Sequence, residues 1–333
     1  LAAAGAGFDL EGLALRTRHD AVQITWRRRA FLRDEKEPPE IDPLSVREAL
    51  EASLRQRGEP VPYLHLHAAG LSAMAADRSL RWREDALPTL NAPIQAALTG
   101  AGFSHHSESA NLEVGLWGLA EWGTLDTLPD QVEIALVRVM QNNPGASFRD
   151  LETALNAEFP GLLTPSLGLL RAILTSYAVE INGCWTLRPE DSPSARHADL
   201  DSAAQALTDL APRLGFTVTG EQKPWRSLRW LESGKTVYTF HILASAVTGK
   251  ILRLAPGGQP SERNVLVLPG GRAGLLAYKL DRDPGLRARA EGWRVLKYRH
   301  LRRVAAITDL THERWEKELN GDPLEPPEQM KLF

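Results

Sequence analysis

Val265-Leu-Val-Leu268-Pro269-Gly-Gly-Arg272, with Trp293-Arg-Val-Leu-Lys-Tyr298 downstream, decides how the larger part of this chain folds. Four apolar residues cut off by Pro-Gly-Gly predict a short buried strand. Arg272–Lys279 predicts a helix and Trp293–Tyr298 another strand, so the three form a crossover. Upstream, Leu200–Leu214 predicts a helix and Phe216–Thr219 a strand. Ser227–Glu232 and Thr236–Ala246 predict a hairpin over Ser233-Gly-Lys235, and Ile251–Leu254 a further strand. Helix, three antiparallel strands, then strand-helix-strand is an α+β order.

That order, over residues 199–318, is the order of a restriction-endonuclease-like domain. An active nuclease of that fold needs an Asp on one strand and a Glu/Asp-x-Lys on the next, to hold Mg²⁺ and position water. Here the strands read Leu228-Arg-Trp-Leu-Glu232 and Thr236-Val-Tyr-Thr-Phe-His-Ile-Leu-Ala-Ser-Ala246. Glu232 and Lys235 sit on a turn with no carboxylate facing them, and His241 is alone. The expectation is a nuclease-like domain without its catalytic acids; the alternative is a migrated acid, Glu232 or Glu221.

The same region is basic. Lys250–Arg303 holds thirteen Lys/Arg against four acids, a local charge of +9, while the chain as a whole carries −3 and the remainder therefore −12. Such a field attracts a polyanion, and DNA is the expected partner. The candidate phosphate contacts are Arg272, Lys279, Arg294, Lys297, Arg299, Arg302 and Arg303. Pro269-Gly-Gly-Arg272 opens a helix, whose first backbone N–H groups suit a phosphate. It lacks the spacing of a nucleotide-binding or dinucleotide-binding loop. The competing readings are a solvated basic face and glycines serving only a sharp turn.

Leu128–Pro189 has the order of a winged helix-turn-helix, assigned to residues 128–190. Gln131–Gln141 is a helix stopped at Asn142-Asn-Pro-Gly145. Ser147 caps Phe148–Phe159, with Asp150 completing a capping box. Thr164-Pro165 is expected to cap a third helix through Tyr177. Val179–Leu187 is a hairpin over Asn182-Gly183. The third helix, which would read a major groove, offers one base, Arg171, among apolar residues. A module used for packing or protein contacts is the alternative.

Nearer the start, residues 44–123 predict a helical domain with helices at Leu44–Arg57, Pro60–Leu80 and Leu87–Thr99. Arg27–Pro43 and Ser192–Asp199 read as linkers. Residues 1–27 alternate like two strands, the closing hairpin of a domain whose body lies upstream; a C-terminal fragment of a longer protein is expected. His65, His67, His105 and His106 lack an acid or Cys at ligand spacing, so no metal is expected, nor any cofactor. The single cysteine, Cys184, excludes a disulfide framework and a cysteine-based zinc site. No apolar run approaches the roughly 20 residues of a membrane helix. A cytoplasmic protein is expected.

Residues 319–333 form an extended tail, Asp322-Pro-Leu-Glu-Pro-Pro-Glu328 followed by Gln329-Met-Lys-Leu-Phe333. Its end resembles the bacterial sliding-clamp-binding pentapeptide Gln-Leu-x-Leu-Phe. The resemblance implies that Gln329, Met330, Leu332 and Phe333 anchor to a clamp; a tail tip without a partner is the other reading.

Several stretches together resemble the region after the catalytic domain of large prokaryotic DNA methylase-like proteins from restriction and phage-defence loci. They are Ala6-Gly-Phe8 through Trp26, Pro62-Tyr-Leu-His-Leu-His67, Ser109 through Gly115-Leu-Trp117, Val267-Leu-Pro-Gly-Gly-Arg-Ala273 with Tyr278-Lys279, and Leu296-Lys-Tyr-Arg-His-Leu-Arg302. The Asp/Asn-Pro-Pro-Tyr motif and the Gly-rich S-adenosylmethionine loop of such enzymes are absent. The resemblance thus implies a DNA-binding, substrate-positioning region without methylation activity. A metal-dependent nuclease and a protein-interaction subunit without direct DNA contact stand as alternatives.

Overall fold

A computed structural model describes residues 10–16, 21–26, 43–76, 86–123, 125–221, 226–254, 263–321 and 324. The chain is mixed α/β, with twelve α-helices among the described residues. The expected linker at Arg27–Pro43 lies outside them apart from Pro43, which begins the first helix.

Strands β1 (Leu10–Arg16) and β2 (Ala21–Trp26) pair antiparallel. Helices α1 (Pro43–Arg57), α2 (Tyr63–Ala76) and α3 (Ala86–Thr99) bury Leu50, Leu54, Leu66, Leu90 and Ile94 in one core. That segment is not purely helical. Strands β3 (Val61–Pro62), β4 (Phe103–His106) and β5 (Leu116–Leu119) form an antiparallel sheet in the order β3-β5-β4. Strands of two to four residues show too few alternations to register as a period.

Next come α4 (Leu128–Asn142), β6 (Ala146–Ser147), α5 (Phe148–Glu158), α6 (Leu167–Tyr177), β7 (Ala178–Ile181) and β8 (Cys184–Leu187). The capping box at Ser147 and Asp150 is present in full. Asn182 and Gly183 both adopt positive φ at the β7–β8 turn, the backbone that an Asn-Gly hairpin requires. The cap of α6 is Ser166, not Thr164-Pro165. The Thr164 hydroxyl donates to the Phe159 carbonyl at 3.2 Å, so it closes the preceding turn instead.

Ser192–Asp199 is not a linker. Ser192 caps α7 (Pro193–Arg213), with Pro193 at its first position, and Arg196 ties the first turn to Asp191 and Asp199. Then follow β9 (Thr217–Glu221), β10 (Ser227–Glu232) and β11 (Lys235–Ile242). Ile251–Leu254 is helical, within α8 (Gly249–Leu254), because a four-residue apolar run fits either period. The chain finishes with β12 (Arg263–Leu268), α9 (Ala273–Arg282), α10 (Pro284–Ala290), β13 (Arg294–Lys297), α11 (Tyr298–Ala305) and α12 (His312–Leu319).

The five-stranded sheet runs β13-β12-β11-β10-β9. Strands β9, β10 and β11 are antiparallel, while β11, β12 and β13 are parallel, as crossovers through helices demand. One face carries Trp230, Tyr238, Phe240, Val265, Val267 and Leu296 against α7, α11 and α12. The other carries Leu266 and Leu268 into a core shared with Val132, Leu136, Leu155, Leu170 and Ile173 of α4–α6. Residues 128–190 and the sheet domain thus bury apolar surface against each other.

Candidate nucleic-acid interface

Helix α11 is amphipathic. Tyr298, Leu301 and Val304 bury one side, and Arg299, Arg302 and Arg303 recur at the three- and four-residue spacing of the opposite side. Arg302 reaches Asp199 at 2.9 Å and Arg303 reaches Glu318 at 3.2 Å, yet both remain mostly in solvent. Such exposed pairs are weak and exchange readily for another anion. Arg299 lies over the Pro269-Gly-Gly turn, 3.7 Å from where a Cβ on Gly270 would stand. Arg294 is exposed at the start of β13. Arg299, Arg302 and Arg303 lie on the helix that leaves the end of β13 where Lys297 pairs with Leu268, while Arg294 opens that strand opposite Val265.

Three predicted phosphate contacts are buried instead. Arg272 has no exposed surface. Its guanidinium pairs with Asp191, donates to the Ser176 carbonyl and hydroxyl, and lies 3.3 Å above the Tyr177 ring. Lys279 is only 3% exposed; it bonds Asp130 at 2.6 Å, the Ala246 carbonyl at 3.0 Å and the Glu133 carboxylate. The physical reason is helix geometry. Arg272, Leu275, Leu276 and Lys279 share one stripe, and that stripe faces the core. Lys297 is buried too, at the inner end of β13.

The buried acids that meet these bases were missed in the sequence. Asp130 accepts from the Gly249 N–H at 2.8 Å, and Glu133 from the Ala246 N–H at 2.8 Å and the Tyr177 hydroxyl. Tyr177 thereby joins both clusters. Burial pushes Asp130 above the usual carboxylate range, with Lys279 opposing. Burial works against the Lys279 charge, yet Asp130 and Glu133 together hold its pKa above the ordinary value. One signal was available: Glu133 stands among Val132, Ala135 and Leu136 in the apolar stripe of α4, where an acid requires a buried partner.

Helix α6 buries Leu169, Leu170, Ile173 and Leu174 against α4 and α9, leaving Gly168, Arg171 and Thr175 as a narrow exposed stripe. Tyr278 of α9 fills the space beside Gly168. Arg171 is exposed, its guanidinium 5.9 Å from the Phe148 ring.

On the sheet, Ser227 lies opposite His241 and Arg229 opposite Thr239, so no carboxylate occupies those facing positions. His241 stacks on Trp293 at 5.3 Å. Glu232 and Lys235 are cross-strand neighbours at an exposed turn. The Glu221 side chain lies outside the described residues, as do Gln329, Met330, Leu332 and Phe333. Among the described residues, no three His, Cys, Asp or Glu side chains gather to hold a metal, and no helix is long and apolar enough to cross a membrane. His65 meets the Ser53 hydroxyl at 3.3 Å, while His105 stacks on Trp117 at 4.2 Å. No protein-family model matches the chain, and no curated protein matches it.

Proposed function

We propose that this chain is the DNA-binding, substrate-positioning region of a cytoplasmic DNA-modification or phage-defence protein. The α11 stripe of Arg299, Arg302 and Arg303, together with the exposed Arg294 at the start of β13, carries the reading. Three arginines exposed on one side of a helix, two of them in exposed ion pairs, present positive charge that can take up phosphates. The sheet order, three antiparallel strands followed by two parallel ones, supports a restriction-endonuclease-like domain. The helix-helix-helix-hairpin order of residues 128–190 supports a winged helix used for packing, since its third helix is spent on the α4–α9 core. The absence of facing carboxylates on β10 and β11 argues against the nuclease alternative.

With about four phosphate contacts, log affinity for duplex DNA should fall against log salt with a slope of about −3 to −4. Reversing Arg299, Arg302 and Arg303 to Glu should weaken binding at least tenfold on every sequence. A flat salt response would overturn the reading. Mg²⁺-dependent cleavage lost on Glu232→Ala would favour the nuclease instead.

A protein partner is favoured by one further observation. Ile181 is 60% exposed and Val179 is exposed beside it on the β7 wing, where a phosphate-binding wing would carry bases. The tail adds the sliding clamp as a second partner, through Gln329, Met330, Leu332 and Phe333. A peptide of residues 322–333 should bind a bacterial clamp with a Kd on the order of micromolar. Leu332→Ala with Phe333→Ala should abolish that and leave DNA affinity unchanged.

A further inference from the structure

We infer that the cleft between the β4–β5 hairpin and helices α8 and α10 binds a single phosphate group. The cleft holds about 150 Å³ and is lined by Ser104, His106, Trp122, Arg253, Asp283 and Arg289, among others. At about 30 Å³ per liquid water, that is room for roughly five waters, or for one phosphate and its ester carbon. A nucleobase is a poorer occupant. It needs a ring face for stacking, and the Trp122 indole already has the Arg253 guanidinium over it at 4.9 Å.

Among the described residues that line the cleft, the charged side chains are Arg253, Asp283 and Arg289, with His106 titratable. Arg253 pairs with Asp283 at 3.5 Å, and both side chains are almost wholly buried. Arg253 also donates to the carbonyls of Leu125 at 3.0 Å and Gly58 at 2.6 Å. Asp283 accepts the Leu286 N–H at 2.9 Å as the cap of α10. These two cancel each other. Arg289 is exposed, its guanidinium 3.5 Å from the Arg253 carbonyl, and among the described lining residues it is the cation beyond the Arg253–Asp283 pair.

The wall opposite supplies the remaining donors. The Ser104 hydroxyl lies 3.2 Å from His106 Nε2 and 3.3 Å from the Leu119 carbonyl, two acceptors for its single proton. Protonating His106 turns Nε2 into a donor and releases the hydroxyl. The charged groups facing the imidazole are Asp283, His105, Arg253 and Arg289. Burial holds His106 below its ordinary pKa, Asp283 opposes that, and His105 adds to it. An anion in the cleft restores the proton. Ser104, His106 and Asp283 do not form a nucleophilic relay. Asp283 faces the Cε1–Nε2 edge of the ring across Gly285, the edge that Ser104 already uses.

The site shares no residue with α11 and does not depend on the DNA-binding reading. Its phosphate comes either from solution or from the 5′ end of a nucleic-acid strand. Titration calorimetry of the full chain with inorganic phosphate should give a Kd on the order of 0.1–1 mM. Arg289→Ala, at an exposed position that leaves the fold intact, should weaken binding at least tenfold. Sulfate, whose charge is fixed, should bind at least threefold tighter at pH 6.0 than at pH 7.5, and His106→Asn should erase that difference. A 5′-phosphorylated dinucleotide binding tighter than its 5′-hydroxyl counterpart identifies a strand end. Phosphate binding without any dinucleotide binding identifies the free ion. Glu at Arg299, Arg302 and Arg303 should leave phosphate binding unchanged, which separates this site from the DNA face. No saturable binding of phosphate or dinucleotide up to about 10 mM, or affinity within twofold of wild type in Arg289→Ala, overturns the proposal.

Discussion

Lys279 belongs by composition to a basic segment and by position to the core. Its ammonium stands between Asp130 and Glu133, with the Ala246 carbonyl as third acceptor. Lys279→Met should therefore leave two buried carboxylates without their cation and destabilise the fold by about 3–5 kcal/mol. Adding Asp130→Asn and Glu133→Gln should restore part of that, because no buried charge then lacks a counterion; urea denaturation of wild type, the single and the triple variant tests it. His65 gives a pH-dependent case. Burial and then Arg57 lower its pKa to about 4 in the folded chain, against about 6.5 when unfolded. Between those values the unfolded chain binds more protons, so stability is full above pH 6.5 and falls as pH drops toward 4. Tm measured from pH 7 to 4.5 should decline less steeply in His65→Gln than in wild type.

Helix α11 carries its buried apolar residues and its exposed arginines on different sides. Leu301 is buried at 1% exposure beside Tyr298 and Val304, so Leu301→Ala should cost about 2–5 kcal/mol. Arg302→Ala removes an exposed pair and should cost less than about 1 kcal/mol, while lowering DNA affinity. A variant series in which stability and affinity fall together at Arg302 would contradict this division. The Pro269-Gly-Gly-Arg turn is a second instance. A Cβ on Gly271 would stand 3.3 Å from the Ser176 carbonyl and 3.4 Å from Arg188 Nη1. Gly271 permits the turn to approach the end of α6, and Arg272 is turned inward there. Gly271→Ala should destabilise by about 1–3 kcal/mol through overpacking, measurable as a lowered denaturation midpoint.

Across the whole molecule, the buried chain Arg196–Asp191–Arg272, stacked on Tyr177 and continued through Glu133 to Lys279 and Asp130, bolts residues 128–190 to the sheet domain. Apolar burial follows the same path, since Leu266, Leu268, Leu275 and Leu276 share a core with α4–α6. A fragment of residues 126–191 should accordingly show no cooperative unfolding, because α6 would expose Leu169, Leu170, Ile173 and Leu174. A sharp thermal transition from that fragment would show that the unit carries its own core. Part of the +9 segment is consumed in this joint. Lys279 and Arg272 are met by Asp130, Glu133 and Asp191, acids drawn from outside the segment. The exposed basic field therefore rests on fewer bases than the sequence count gives.

Local chemistry set what could be read directly. Asn182-Gly183 dictates its hairpin through positive φ, Ser147 and Asp150 dictate a helix start, and Val265–Leu268 before Pro269 dictates a buried strand, because each acts through atoms within a few residues. Arg299, Arg302 and Arg303 were legible as members of a basic segment, but the helix that puts them on one side emerged only in the structure. Which bases meet solvent and which meet Asp191 or Glu133 was decided only by the tertiary structure. Those partners lie 81 and 146 residues away in sequence, and no local signal specifies who arrives. The cleft at Ser104, His106 and Arg289 belongs to the same class: its walls come from segments far apart in the chain, and only packing brings their charges to one place.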